Sequence, residues 1–134
     1  LEEAFGLYIK RPGFGPFMTY EVISDLRYTK YLSDAPDIMT WANPGPGAVR
    51  GLCRVWGLKI KGRRRRDREK ITRPKAIEMM QYLLKVSTKY LGKHVPALDA
   101  RAVEHICCEV DKYERVRLGE GTLERYNSPQ RTLL

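Results

Sequence analysis

The sequence is short of cysteine, lacks any long apolar run, and holds no low-complexity tract among its 134 residues. Its three cysteines, Cys53 and the adjacent Cys107 and Cys108, form neither a disulfide framework nor the paired CxxC spacing of a zinc site. Free thiols in a reducing compartment are expected. No apolar stretch approaches the roughly 18 residues of a transmembrane helix, and Leu1-Glu2-Glu3 lacks the basic-then-apolar layout of a signal peptide. The chain therefore reads as soluble, intracellular (cytoplasm or nucleus) and without a membrane partner. No Ser/Gln-rich or Pro/Gly-rich tract dominates, and 43% apolar with 31% charged residues is ordinary globular usage, which excludes disorder, collagen and coiled coil as whole-chain answers. No segment alternates with period two for long enough to argue for a sheet, and no internal repeat is present. An initiator methionine is missing as well, so a piece or trimmed product of a longer protein is expected.

What is present is positive charge. Twenty-five Lys and Arg against sixteen Asp and Glu give +9 and a pI near 9.6, which points to a polyanionic partner. From Lys59 to Lys70 eight of twelve residues are basic and two acidic, a local +6 that reads as an exposed loop or arm. Lys61, Arg63, Arg64, Arg65 and Arg66 are its candidate DNA contacts.

The rest of the chain is patterned for helices. Leu1, Ala4, Phe5 and Tyr8 are spaced as on one helix face, ending at Arg11-Pro12-Gly13. Pro16 opens a second helix expected to run to about Tyr31. In the stretch 33–47, which holds three prolines, Pro46 is the last, and with Ala48 and Leu52 it starts a third that reaches Trp56. Pro74 opens a fourth, with Ile77, Met80, Leu83, Leu84, Ser87 and Leu91 on its buried face and Gly92 at its end. Asp99 caps the last helix, which is expected to turn Val103, Ile106, Val110 and Tyr113 inward before Gly119 and Gly121 stop it. One all-α domain over 1–121 with a loose tail over 122–134 is the expected organisation.

Three stretches carry candidate chemistry. In Arg11-Pro12-Gly13-Phe14-Gly15-Pro16-Phe17, glycines on either side of an apolar residue let backbone N–H groups at a helix start face outward, where a phosphate can accept them. A plain helical hairpin with a tight turn explains the same residues. In Trp41-Ala42-Asn43-Pro44-Gly45-Pro46-Gly47-Ala48-Val49-Arg50-Gly51-Leu52, followed by Arg54, prolines and glycines fix a rigid turn with exposed amides. Arg50 and Arg54, four apart, share a helix face and can fork onto phosphate oxygens. Trp41, Asn43, Gly45 and Gly47 are candidate substrate contacts, against the alternative that Trp41 is core and the arginines a solvated face. On the last helix His105, Glu109 and Lys112 form one stripe, with Cys108, Asp111 and Arg115 beside it. A proton carrier, an acid and a cation on one rigid element suit acid–base work, and surface ion pairing suits them equally. His105 and Glu109 alone are too few ligands for a metal, and neither a metal nor a cofactor is expected.

The first stretch resembles the helix-hairpin-helix motif of DNA repair proteins, whose core is Pro-Gly-apolar-Gly. That resemblance implies that Gly13, Gly15 and the amide of Phe17 hold one DNA phosphate beside Arg11, with Phe14 anchoring the turn. Together, Gly13 to Tyr20, Trp41 to Leu52 and Cys108 to Gly121 resemble the alpha-glutamyl/putrescinyl thymine pyrophosphorylases, the amino acid:DNA transferases of bacteriophage and their cellular relatives. The resemblance spans about Phe5 to Gly121. It implies an all-α, DNA-glycosylase-like fold and a role in thymine hypermodification, in which an amine or amino acid displaces pyrophosphate from pyrophosphorylated 5-hydroxymethyluracil in DNA. For a phage protein the place is the host cytoplasm.

On this reading Arg50 and Arg54 assist the departing diphosphate, and Asp37, His105 or Glu109 accepts the amine's proton, with Asp111 and Lys112 as further substrate contacts. The alternatives are a non-catalytic DNA-binding module, or a DNA glycosylase using Asp37. For the latter, the spacing from Asp37 to Arg50 is longer than the repair pattern, and Phe17 to Tyr20 offers no catalytic lysine.

Overall fold

The computed structural model describes residues 1–58, 60 and 71–120, so the arm residues Lys61 and Arg63 to Arg66, and the tail 122–134, lie outside the described residues. The fold is all-helical: α1 (Glu2–Tyr8), α2 (Pro16–Leu26), α3 (Pro46–Val55), α4 (Arg73–Ser87) and α5 (Ala100–Arg117).

Each start has a local cause. Gly15 and Gly45, both extended (φ −81 and −77), stand before Pro16 and Pro46 at the first helical positions. Proline lacks only an N–H that no helix start uses. Thr72 accepts a hydrogen bond from the Lys75 N–H, and Asp99 accepts one from Ala102 at 2.8 Å. Two ends share a glycine device. Gly57 (φ +63) follows α3, with Leu58 N–H donating to Cys53 O and Gly57 N–H to Arg54 O. Gly119 (φ +67) follows α5, with Glu120 N–H donating to Arg115 O and Gly119 N–H to Val116 O. These are Schellman closures, which glycine permits because it has no Cβ to clash at positive φ.

Two helices are shorter than the apolar spacing predicts. α2 stops at Leu26 rather than Tyr31, because the Thr29 hydroxyl donates to Leu26 O at 2.6 Å and the backbone tightens into three-residue turns. α4 stops at Ser87 rather than running to Gly92, where Ser87 and Thr88 hydroxyls donate to Leu84 O and Lys85 O. Such hydroxyls offer carbonyls an alternative to the next helical N–H.

The core gathers Ile23 from α2, Ala48 and Leu52 from α3, Ala76, Met79 and Met80 from α4, and Val103 and Cys107 from α5. Trp41 lies in it, 5% exposed, its ring 5.7 Å from Tyr20 and 5.6 Å from Phe5. The face α5 turns inward also differs from the expected one. Ile106 and Tyr113 are exposed, while Ala100, Val103, Glu104, Cys107 and Asp111 are buried. Gly51 explains the choice, since a Cβ there would sit 1.9 Å from the Cys107 carbonyl oxygen. The backbones of α3 and α5 touch at that point, and the contact fixes which stripe of α5 is covered.

Candidate functional site

The N-terminal turns of α2 and α3 and the side of α5 that runs from Arg101 to Arg115 enclose a cleft of about 760 Å³. Its organising residue is Asp111, fully buried on α5. One carboxylate oxygen accepts from Arg50 Nε at 2.7 Å, the other from Arg54 Nε at 3.0 Å, and Arg115 Nε lies 3.4 Å away. Three guanidiniums on two helices thus converge on one carboxylate, which costs less than three buried cations alone because each has a countercharge in reach. Arg54 reaches on to Glu120 at 2.6 Å, a residue that the Gly119 turn carries back toward α3. Against the desolvation of its burial, these carboxylates raise the Arg54 pKa and hold its charge. The Arg115 Nε is itself buried and faces Asp111 without hydrogen-bond alignment, so that pair is an ion pair only.

Two turns earlier on α5, about 10 Å along the axis, the cleft has a carboxylate end. Glu104 is buried, accepts from the Gly45 N–H and the Cys108 thiol, and pairs with Arg101 at 2.5 Å. Arg101 also binds Glu21 at 3.2 Å and lies over the Tyr20 ring at 4.9 Å. Burial, then Glu104, push the Tyr20 hydroxyl's pKa up, and the Arg101 charge opposes them. Cys108 is pushed up to about 12 by burial and by Glu104, the opposite of an activated nucleophile. Gly47 packs so closely on it that a Cβ would stand 3.1 Å from the sulfur.

The candidates from sequence fall into five places. Arg50, Asn43, Gly45, Gly47, His105, Glu109, Asp111, Lys112 and Phe17 line the cleft. Glu109 is bound by Lys112 at 2.6 Å, whose hydrogen bond lowers its pKa, and His105 stands 3.8 Å from it. Arg54 lies beneath the cleft, its side chain 9% exposed and committed to Asp111 and Glu120, while Trp41 is core. Asp37 is elsewhere, accepting from the Glu2 N–H at the start of α1. Arg11 and Gly13 form the turn joining α1 to α2. There the Phe14 N–H donates to Arg11 O, and Gly13 (φ +82) takes the conformation that a type II turn demands. Gly15 has an ordinary φ and open space around it, so the glycine requirement belongs to Gly13.

Glu104 and Arg101 escape a reading of sequence, although Glu104 stands seven residues before Asp111 and so on the same stripe. Among the described residues no group of three or more His, Cys, Asp or Glu side chains could hold a metal ion, and no helix is long and apolar enough to cross a membrane.

Fold and site together define a basic, all-helical domain with a charged cleft at paired helix starts. The chain belongs to the family described as 5-hmdU DNA kinase, helical domain, whose model matches residues 1–122. That family relates to thymine hypermodification in DNA. No curated protein and no solved structure matches the chain.

Proposed function

We propose that the chain acts in thymine hypermodification by binding DNA, receiving an extruded 5-hydroxymethyluracil whose methylene carries a diphosphate, and exchanging that diphosphate for an amine. The observation that carries this reading is the bipolar cleft, with Arg50 and Arg115 oriented by buried Asp111 at one end and, at the other, Glu104 and Glu21 sharing the single cation of Arg101, which leaves that end net negative. A diphosphate needs the first end and a cationic amine the second. Once its ammonium proton has been taken, the amine nitrogen's freed lone pair forms the bond to the methylene carbon, the carbon–oxygen bond breaks, and its electron pair leaves with pyrophosphate. Arg50 and Arg115 take up that growing charge. Glu109 or His105, at the cleft wall, accepts the ammonium proton. The starts of α2 and α3 add fixed N–H dipoles of the sign that a phosphate needs.

The second reading is a DNA-recognition domain that presents hydroxymethyluracil to a kinase. The family description favours it, and the sequence contains no Gly-x4-Gly-Lys-Ser/Thr phosphate loop of its own. A glycosylase using Asp37 is less favoured, since that carboxylate stands outside the cleft, at the start of α1.

Nucleoside mass spectrometry after incubating the chain with pyrophosphorylated 5-hydroxymethyluracil DNA and candidate amines decides between them. Arg50→Ala should cut transfer about a hundredfold with only a modest loss of DNA affinity. Arg50→Lys should rescue in part, because lysine makes no bidentate fork. Binding without any transfer leaves the recognition reading standing, and release of free base leaves the glycosylase.

A further inference from the structure

At the other end of α3 lies a second cleft, of about 690 Å³, that no part of the proposed reaction uses. Trp56 and Leu58 from the end of α3, Ile71 before α4, and Met79 and Tyr82 on α4 form its walls. The Trp56 and Tyr82 rings are 6.0 Å apart and inclined by 65°, and both are exposed, Trp56 by 37% and Tyr82 by 60%. They meet edge to face, which leaves the outer surface of each ring open as an exposed aromatic corner. Lys75 stands at the rim, 2.8 Å from Glu78.

Charge identifies the occupant. Leu58 and Ile71 are the residues on either side of the basic segment, where eight of twelve residues are Lys or Arg. An apolar aromatic corner whose walls are joined in sequence by +6 matches a ligand that is both polyanionic and made of flat rings. Single-stranded nucleic acid has that chemistry, with phosphates for the cations and bases for the rings. Trp56 stands six residues after Arg50, about 9 Å along the helix axis, the span of about three nucleotides at the step of B-form DNA.

We propose that Trp56 and Tyr82 form a base-stacking site for an unpaired nucleotide of the same DNA, away from the base held in the arginine cleft. This rests on the DNA-binding reading above. Because stacking releases no counterions, it adds affinity without adding to the salt dependence.

Tryptophan fluorescence tests it directly, since the chain has two tryptophans and the other, Trp41, is in the core. The full chain is titrated with a thymidine oligonucleotide and with a matched duplex, and labelled-DNA anisotropy is followed across a salt series. Single strands should quench the emission more than duplex. Trp56→Ala should weaken single-strand affinity about tenfold with an unchanged log–log salt slope, and Trp56→Phe should recover much of it. Tyr82→Ala, at a more exposed position, carries the same test if Trp56→Ala unfolds. DNA binding by the wild type with no quenching and no effect of either alanine would overturn the stacking site and leave the DNA reading intact. Failure of the wild type to bind any DNA would overturn both. A concentration-dependent emission shift without DNA would mark a second copy of the chain as the occupant, and would also overturn the proposal.

Discussion

Replacing Asp111 by Asn removes one charge and almost no volume, so it isolates the electrostatic role of the residue at the centre of the arginine cluster. Its side chain is 1% exposed and that of Arg54 is 9%, whereas Arg50 and Arg115 keep 26% and 37%. Removing one partner of a buried pair costs about 3–5 kcal/mol, because the other charge stays desolvated and unmatched. Arg50 and Arg115 can turn toward water and escape most of that cost. Arg54 is tied to Glu120 above and covered below, so the loss should fall near the lower bound, about 3 kcal/mol. For a domain of this size that lowers Tm by roughly 10 °C. Thermal melting followed by circular dichroism measures it, and the pair Asp111→Leu with Arg54→Met should regain much of the loss by replacing charges with packing. The functional readout separates orientation from charge. Asp111→Asn makes the protein more positive, so affinity for unmodified duplex should not fall, while preference for DNA bearing the phosphorylated methylene should. A Tm within about 2 °C of the wild type, where an exposed pair would leave it, would refute the idea that Asp111 holds the cluster together.

Gly51→Ala should destabilise by about 2–4 kcal/mol despite the better helix propensity of alanine. The two backbones would have to part by about 1.5 Å to bring the new Cβ from 1.9 Å to ordinary contact with the Cys107 carbonyl. Gly15→Ala, in open space, should melt like the wild type and serves as the control. The acid limb of stability should report Asp99. Burial raises its pKa, but hydrogen bonds from Arg27 and the Ala102 amide outweigh that and hold it below its usual value. A carboxyl lowered in the folded state stabilises above its unfolded pKa, near 3.9, and that stability disappears as pH falls through the lowered value. Arg27→Met should therefore be less stable at pH 7 and lose less between about pH 5 and 2, as measured by urea unfolding across that range.

The sequence by itself determined the elements and most of their edges, because these are local events. Gly-Pro at 15–16 and 45–46 marks two helix starts through the fixed backbone of proline, Asp99 marks a third through a bond made within one turn, and Gly119 marks an end through a conformation that glycine alone adopts easily. The ends of α2 and α4 were harder to read, since Thr29, Ser87 and Thr88 can sit in a helix or take its carbonyls, and propensity does not say which. Only tertiary structure decided the site. Asp111 among charged neighbours looks like the solvated face of a helix until Arg50 and Arg54, 61 and 57 residues away, arrive from α3. Likewise Ile106 and Tyr113 are better inward candidates by hydropathy than Glu104 and Asp111, yet the close approach of Gly51 to Cys107 covers the stripe that carries the two acids. A backbone contact between helices distant in sequence leaves no periodicity to read, and a buried carboxylate becomes tolerable only once the fold has delivered its cations.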